Sequence, residues 1–441
     1  EVVRRMRCGQ VRRQAGYDGE YGKIGLFAPG EVERLSGKTS FLAPLAAEQA
    51  VPSRHAPAKR APSPAPAVAE SPAPQGPLAG LDAEQLAAVT AAGPVVAVVA
   101  GPGTGKTRTL VARVEYLLRQ GAAPGEVTAV TFTNLAAREL RERLEQRLGA
   151  QAVKGLTVGT FHSICLQLLG RPALLGEAPA LQLAAGLAKK FSLKLAPRKL
   201  LGAVSRAKNC PGENPGLAPE VLAAYAQALD ETGLLDMDDL LVRALEKAPA
   251  RSRRFTHLLV DEFQDISPVQ YQLVQAWHQA GGGTLFAIGD ADQAIYGFRG
   301  ASAGCFERLA GQGAQVVRLK TNYRSTPQVV QCAAEVIGRN PGGPRPLRAA
   351  RPGGVPVRLM QADSPFAEAV YIAKAVAEKA GGIDMLSAQA HRAEGRVYAF
   401  EEMAVLARTH RQLELIEQCL RRDGPSKSSP PSPERRSGFR L

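Results

Sequence analysis

Apolar residues along the middle of this chain gather in short unbroken runs. Val95-Val96-Ala97-Val98-Val99, Leu258-Leu259-Val260 and Thr284-Leu285-Phe286-Ala287-Ile288 are each of strand length and stop at a small or charged residue. Such runs predict strands buried on both faces, as in a parallel sheet covered by helices. Helical patterns begin near Arg108 and run over Gln412–Arg422. Together they predict an α/β fold, a parallel sheet with helices on both faces.

The residues at the end of each run give the pattern its chemistry. Ala100-Gly101-Pro102-Gly103-Thr104-Gly105-Lys106-Thr107 lies between the first run and a helix. Glycines there let backbone N–H groups converge on a phosphate, and the helix dipole adds positive potential. Lys106 would reach the β- and γ-phosphates of a nucleotide, and the Thr107 hydroxyl would hold Mg²⁺. The strict phosphate-loop pattern begins with Gly where this chain has Ala100, and a glycine-rich turn with a stray lysine is the alternative. Asp261-Glu262 closes the second run: Asp261 is expected to hold Mg²⁺ through its water shell, Glu262 to polarise the attacking water. Beyond the third run, Gln293 could touch both γ-phosphate and water. Tyr296, Phe298 and Arg299 follow it, a set that suits base stacking, although for either ring core packing fits as well.

From residue 81 to about 423 the chain resembles the superfamily-one DNA helicases of the UvrD/Rep/PcrA type. Leu81-Asp82-Ala83-Glu84-Gln85 matches the family's adenine-reading Q motif, and Ala100–Thr107 matches motif I, in which the family also carries Ala first. Residues 131–140, beginning Thr131-Phe132-Thr133-Asn134-Leu135, match motif Ia, with Leu135 where the family usually has Lys; Gly159-Thr160-Phe161-His162-Ser163 matches motif Ib. Leu235-Asp236-Met237-Asp238-Asp239-Leu240-Leu241 follows a further family segment, with Met237 in place of an aromatic. Asp261–Asp265, Gly289–Ala301 and Asn322-Tyr323-Arg324-Ser325 match motifs II, III and IV. The resemblance implies a P-loop NTPase with RecA-like domains that hydrolyses ATP with Mg²⁺, moves 3′ to 5′ on single-stranded DNA and unwinds 3′-tailed duplexes. It implies that Gln85, Ala100, Gly101, Pro102, Gly103, Thr104, Gly105, Lys106, Thr107, Arg108, Tyr323 and Arg324 bind ATP. Tyr323 would stack on adenine and Arg324 reach the γ-phosphate; Glu262, Gln293, Arg324 and Lys106 form the catalytic set, and Thr107 and Asp261 hold the metal. DNA contacts fall on Phe132, Thr133, Asn134, Thr160, Phe161, His162, Tyr296, Phe298 and Arg299. By analogy the pathway is DNA repair or replication restart.

The expected division is an N-terminal extension (1–50), a Pro/Ala-rich linker (51–80), a first RecA-like domain (81–165 and 251–315), a helical insertion (166–250), a partial second RecA-like domain (316–423) and a disordered tail (424–441). ATP is expected between the two RecA-like domains. Family motifs V and VI do not occur, and the match stops before Gly424-Pro425-Ser426-Lys427, which reads as a truncation or shifted frame. With a motif VI arginine absent, an ATP- and single-strand-binding fragment without sustained hydrolysis or unwinding is the alternative. A small-molecule kinase is a further alternative, against which the segments at 131–140 and 159–163 argue. Gly16–Ile24 weakly resembles the end of PHP-type endonuclease Q-like proteins; an unrelated extension fits equally, and no metal-ligand cluster lies within 1–80.

Charge changes little in this picture. The formal +14 suggests a polyanionic partner. However, residues 1–80 carry 11 Lys/Arg against 7 Asp/Glu and residues 421–441 carry 6 against 2, leaving about +6 on the body. Six scattered cysteines, with no C-x-x-C pair, read as reduced thiols of an intracellular protein. No apolar run approaches the roughly 20 residues of a membrane span and no signal peptide opens the chain, so a cytoplasmic protein is expected.

Overall fold

The computed structural model describes residues 12–14, 23–25, 78–213, 216–248, 251–297, 304–340, 345–380 and 398–423. The linker at 51–77 and the tail from 424 lie outside them, as does most of the N-terminal extension. Strand β1 (Arg12–Gln14) pairs antiparallel with β2 (Lys23–Gly25). The body of the chain is a six-stranded parallel sheet made of β3 (Val95–Ala100), β4 (Val127–Thr131), β5 (Thr157–Thr160), β6 (His257–Val260), β7 (Thr284–Gly289) and β8 (Gln315–Leu319), in the order β5-β4-β6-β7-β3-β8. The shorter β9 (Thr321–Asn322) pairs in parallel with β10 (Arg348–Ala349). The parallel α/β fold expected from the apolar runs is the fold observed.

The two-residue period of a strand divides each run between two cores. Val96, Val98 and Ala100 of β3, Leu259 of β6 and Phe286 and Ile288 of β7 face one side, packed with Leu110, Val114 and Leu140 from the helices Lys106–Arg119 and Asn134–Leu148. Ala97, Leu258, Val260, Leu285 and Ala287 face the other. That second core is filled by the helices Phe161–Leu168, Met237–Glu246, Pro268–Gly281 and Cys305–Gly311. At its centre Trp277 is fully buried, its ring parallel to Phe255 with centroids 4.8 Å apart.

Helix starts are written into the sequence. Asp82, Asp236 and Ser267 each cap a helix through a capping box, and Pro268 occupies the first turn of its helix. Arg113, 2% exposed, donates from Nη1 to the carbonyls of Val89 (2.6 Å) and Ala91 (2.9 Å). It thus sits at the carboxyl end of the helix Ala83–Thr90, where a cation is favoured, and braces the segment that carries Gln85.

The expected domain limits need two corrections. Strand β8 belongs to the first sheet, paired along β3 from Val96↔Gln315 to Ala100↔Leu319, so that sheet does not end at 315. The helix Met237–Glu246 buries Leu240, Leu241 and Ala244 against the sheet, so the insertion ends before it. Three helices, Glu177–Lys190, Pro197–Asn209 and Pro219–Thr232, keep a separate core around Leu200, Val221 and Tyr225. The chain splits into two compact units, 1–355 and 356–441. In the second, the helices Pro365–Lys379 and His410–Asp423 pack through Ala369, Ala373, Ile416 and Cys419.

The buried Trp277 ring gives a direct test of the second core. Its indole N–H has no hydrogen-bond partner, so ring volume is what it contributes. Trp277→Ala is expected to lower stability by about 3–5 kcal/mol, and Trp277→Phe by clearly less, in equilibrium urea unfolding. Equal losses in the two variants would refute the packing account.

Candidate functional site

Strands β6, β7 and β3 run in register, Val260 beside Ala287 and Val99 beside Gly289, so their carboxyl ends deliver three loops to one edge of the sheet. The loop after β3 is held by its glycines. Gly103 (φ 69°) and Gly105 (φ 85°) are left-handed. A Cβ on Gly103 would lie 2.8 Å from Arg324 Cβ, and one on Gly105 2.7 Å from Gln85 Nε2. Side chains are therefore excluded on both counts. Thr104 Oγ1 donates to the Gly101 carbonyl at 2.8 Å. The next helix starts at Lys106 with no side-chain cap on its first turn, whose N–H groups point back towards the loop.

The loop after β6 brings the acids. The Asp261 N–H continues the ladder to Val130 O at 2.9 Å. Burial, and then the Glu262 charge, push its carboxyl up to about 6. Glu262 is left-handed (φ 46°) without being glycine, a conformation that costs on the order of 1–3 kcal/mol and recurs at functional sites. Its Oε2 lies 3.8 Å from Lys106 Nζ.

Gln264, 1% exposed, organises this loop. Its Nε2 donates to Glu262 Oε2 (3.0 Å) and Asp265 Oδ2 (3.1 Å), and its Oε1 accepts the Asp290 N–H (2.9 Å). Gly289 leaves room for that amide, since a Cβ there would fall 2.2 Å from Gln264 Oε1. Asp290 in turn accepts Gln293 Nε2 at 2.6 Å. The expected acid and the expected sensor glutamine are thus joined through a buried amide. Asp265 is likewise raised to about 6, by burial first and the Glu262 charge second.

A third group closes on the loop from residues 322–325. Asn322 Nδ2 donates to the Pro102 carbonyl (2.7 Å), and its Oδ1 accepts the N–H groups of Arg324 (2.9 Å) and Ser325 (2.8 Å). The Tyr323 N–H donates to Gly103 O at 2.8 Å. Gln85 Nε2 donates to Thr104 O at 2.9 Å, and Arg108 Nη2 to Gly80 O at 2.6 Å. Gln85, Lys106, Arg108, Asp261, Glu262, Gln293, Tyr323 and Arg324 therefore all stand around one loop.

The residues expected to meet DNA divide. Phe132 and Tyr296, from the loops after β4 and β7, form a ring pair with centroids 4.7 Å apart. Thr133 Oγ1 accepts the Ala136 N–H and caps the helix Asn134–Leu148. Asn134, Thr160 and His162 border a cavity of about 950 Å³ that Met237, Leu201 and Arg206 also line. One expectation is corrected. Phe161 is 4% exposed, stacked on Trp277 at 5.9 Å, so its ring is a core ring. Thr160 is 2% exposed, and its hydroxyl accepts the Ser163 N–H and caps the next helix. Phe298 and Arg299 lie outside the described residues.

The geometry fits a nucleotide polyphosphate with a divalent cation. Glycines that admit no Cβ, a helix N-terminus and Lys106 form an anion cradle. Burial and the Glu262 charge hold the Asp261 carboxyl up, and a cation placed beside it would favour its charged form. Local patterns in the chain had pointed to no role for Gln264, Asp290, Asn322 or the Asp82 side chain. The sequence signal that could mark a close approach there is the glycine that closes the β7 run at 289.

The model of the UvrD/REP helicase N-terminal domain matches residues 81–193 and 187–312, together more than half of the chain. ATP-dependent DNA helicase PcrA of Bacillus subtilis is 33% identical over 384 residues, covering 79% of this chain and 50% of the relative. ATP-dependent DNA helicase UvrD1 of Mycobacterium bovis is 32% identical over 401 residues, covering 79% and 49%. The chain spans about half the length of the curated relatives it matches. The matched family segment holds the phosphate loop, the Asp261-Glu262 pair and the Gln293 loop in one site, and by that match the chain belongs to the UvrD/REP helicase family.

Proposed function

We propose that this chain is the ATP-binding part of a DNA helicase or translocase, coupling Mg²⁺-dependent ATP hydrolysis to 3′-to-5′ movement on single-stranded DNA and unwinding of 3′-tailed duplexes. The observation that carries it is the continuous bonded path from Lys106 and Glu262 through Gln264 and Asp290 to Gln293, three residues before Tyr296 and its Phe132 contact. The names of the relatives, ATP-dependent DNA helicases, support it.

In this reading the loop N–H groups and Lys106 bind the phosphates. Thr107 and Asp261 hold Mg²⁺, which when bound draws charge from the phosphate oxygens. Glu262 takes the proton of the attacking water. Gln264 keeps that carboxylate aimed by bonding one of its oxygens, leaving the other for water. Gln293 and Arg324 meet the charge that develops on the transferred phosphoryl group. Phe132 and Tyr296 stack on bases, and a shift of residues 290–296 transmits the nucleotide state to them. Among the described residues no helix is long and apolar enough to cross a membrane.

Three outcomes test this. Lys106→Ala is expected to weaken Mg²⁺-ATP binding about tenfold or more, the weight of a charge-assisted hydrogen bond, by calorimetric titration; equal affinity would remove the phosphate-cradle assignment. Glu262→Gln is expected to retain ATP binding and lose DNA-stimulated turnover by about 10²-fold or more. Hydrolysis at the parent rate would mean that another residue is the base. Phe132→Ala should weaken binding of a fluorescent single strand by about 1–3 kcal/mol; unchanged affinity would move the strand path elsewhere.

A further inference from the structure

The carboxylate of Asp82 does two things at once. Its Oδ1 accepts the Gln85 N–H at 2.7 Å and caps the helix Ala83–Thr90, while Gln85 Oε1 accepts the Asp82 N–H in return. Its Oδ2 accepts the phenol O–H of Tyr323, 241 residues away in sequence. Tyr323 is therefore fixed at both ends, its N–H on Gly103 of the phosphate loop and its hydroxyl on Asp82. Its ring nonetheless stays 41% exposed, which leaves a face open. Two residues further along the chain, Glu84 Oε2 accepts the Lys320 N–H at 2.6 Å, so the same helix start also grips the β8–β9 junction. Arg108 closes the group from below, on the carbonyl of left-handed Gly80.

We propose that Asp82 is a positioning residue for the nucleotide base: one carboxylate caps the helix start beside the phosphate loop and holds the ring of Tyr323, so the aromatic wall meeting a planar purine is in place before it arrives, while Gln85, 1% exposed, ties that helix start to Thr104 of the loop. This rests on the ATP-binding reading above and deepens it. An aromatic wall held at a fixed distance from the phosphate loop saves the ordering of that side chain on binding. The benefit falls only on ligands that carry a base. A polyphosphate without one uses the loop and Lys106 alone.

The experiment compares Mg²⁺-ATP with Mg²⁺-tripolyphosphate on the whole chain by calorimetry. Asp82→Ser keeps a good helix cap but is too short to reach Tyr323, and Tyr323→Phe keeps the ring but loses the hydroxyl. Each is expected to weaken ATP binding about three- to tenfold, the weight of one hydrogen bond, with tripolyphosphate affinity unmoved. The double variant should be no weaker than either single one, and Asp82→Asn, which keeps both cap and reach, should stay near the parent. Parallel losses for ATP and tripolyphosphate would reduce Asp82 to a helix cap and overturn the proposal, as would losses that multiply. Unchanged ATP affinity in both single variants would overturn it while leaving the nucleotide reading intact. A parent chain binding ATP no more tightly than tripolyphosphate would instead overturn that reading itself.

Discussion

The parallel register of β6, β7 and β3 is the constraint on which everything else rests. Val260 sits beside Ala287 and Val99 beside Gly289, so β3 and β7 finish within a residue of each other and β6 two residues before β7. Lys106, Glu262 and Gln293 then come from three separate stretches of chain to one edge. A slip of one residue in any strand would turn its buried set to the opposite core. Both faces are covered here, so the cost would fall on both cores at once, Ala97 and Leu285 on one side, Val98 and Phe286 on the other. The packing that makes the sheet stable is thus the same packing that aligns the chemistry.

At the end of those strands the structure spends buried polar groups sparingly and bonds most of them. Gln264 has donors and acceptor all engaged within a site otherwise lined by acids. The amide can lie between Glu262, Asp265 and Asp290 because it carries no charge of its own to desolvate. A lysine there would fit the charges but has no acceptor for the Asp290 N–H, and a methionine would strand that N–H without a partner. Asn322 solves the same problem on the other side of the loop, reading backbone rather than side chains.

Much of this was open to inspection in the sequence, and what was not has physical reasons. The phosphate loop could be read because glycine positions and a lysine after a buried run answer to backbone geometry alone. Asp261 and Glu262 could be read because a strand end fixes where they stand. Strand β8 could not: Gln315-Val316-Val317-Arg318-Leu319 is an edge strand, mostly exposed, and its mixed pattern resembles the start of something new. The helix Met237–Glu246 looked like insertion because its acidic first turn masks Leu240 and Leu241. Phe161 sits where a strand meets a helix, and only the neighbouring Trp277 decides which way such a ring turns. Asp82 and Asn322 act on partners more than 200 residues away, and no local pattern encodes that distance.

That separation also sets an order of events. The Pro102 carbonyl and its Asn322 partner are 220 residues apart. At a synthesis rate of about 5–20 residues per second, a nascent chain would carry the loop for roughly 10–40 seconds before its last brace emerged. During that interval β3 has no β8 beside it, so a central strand of the finished sheet is for a time an edge strand. The run Val95–Val99, apolar and uncharged, would then be the segment most in need of shelter from other chains.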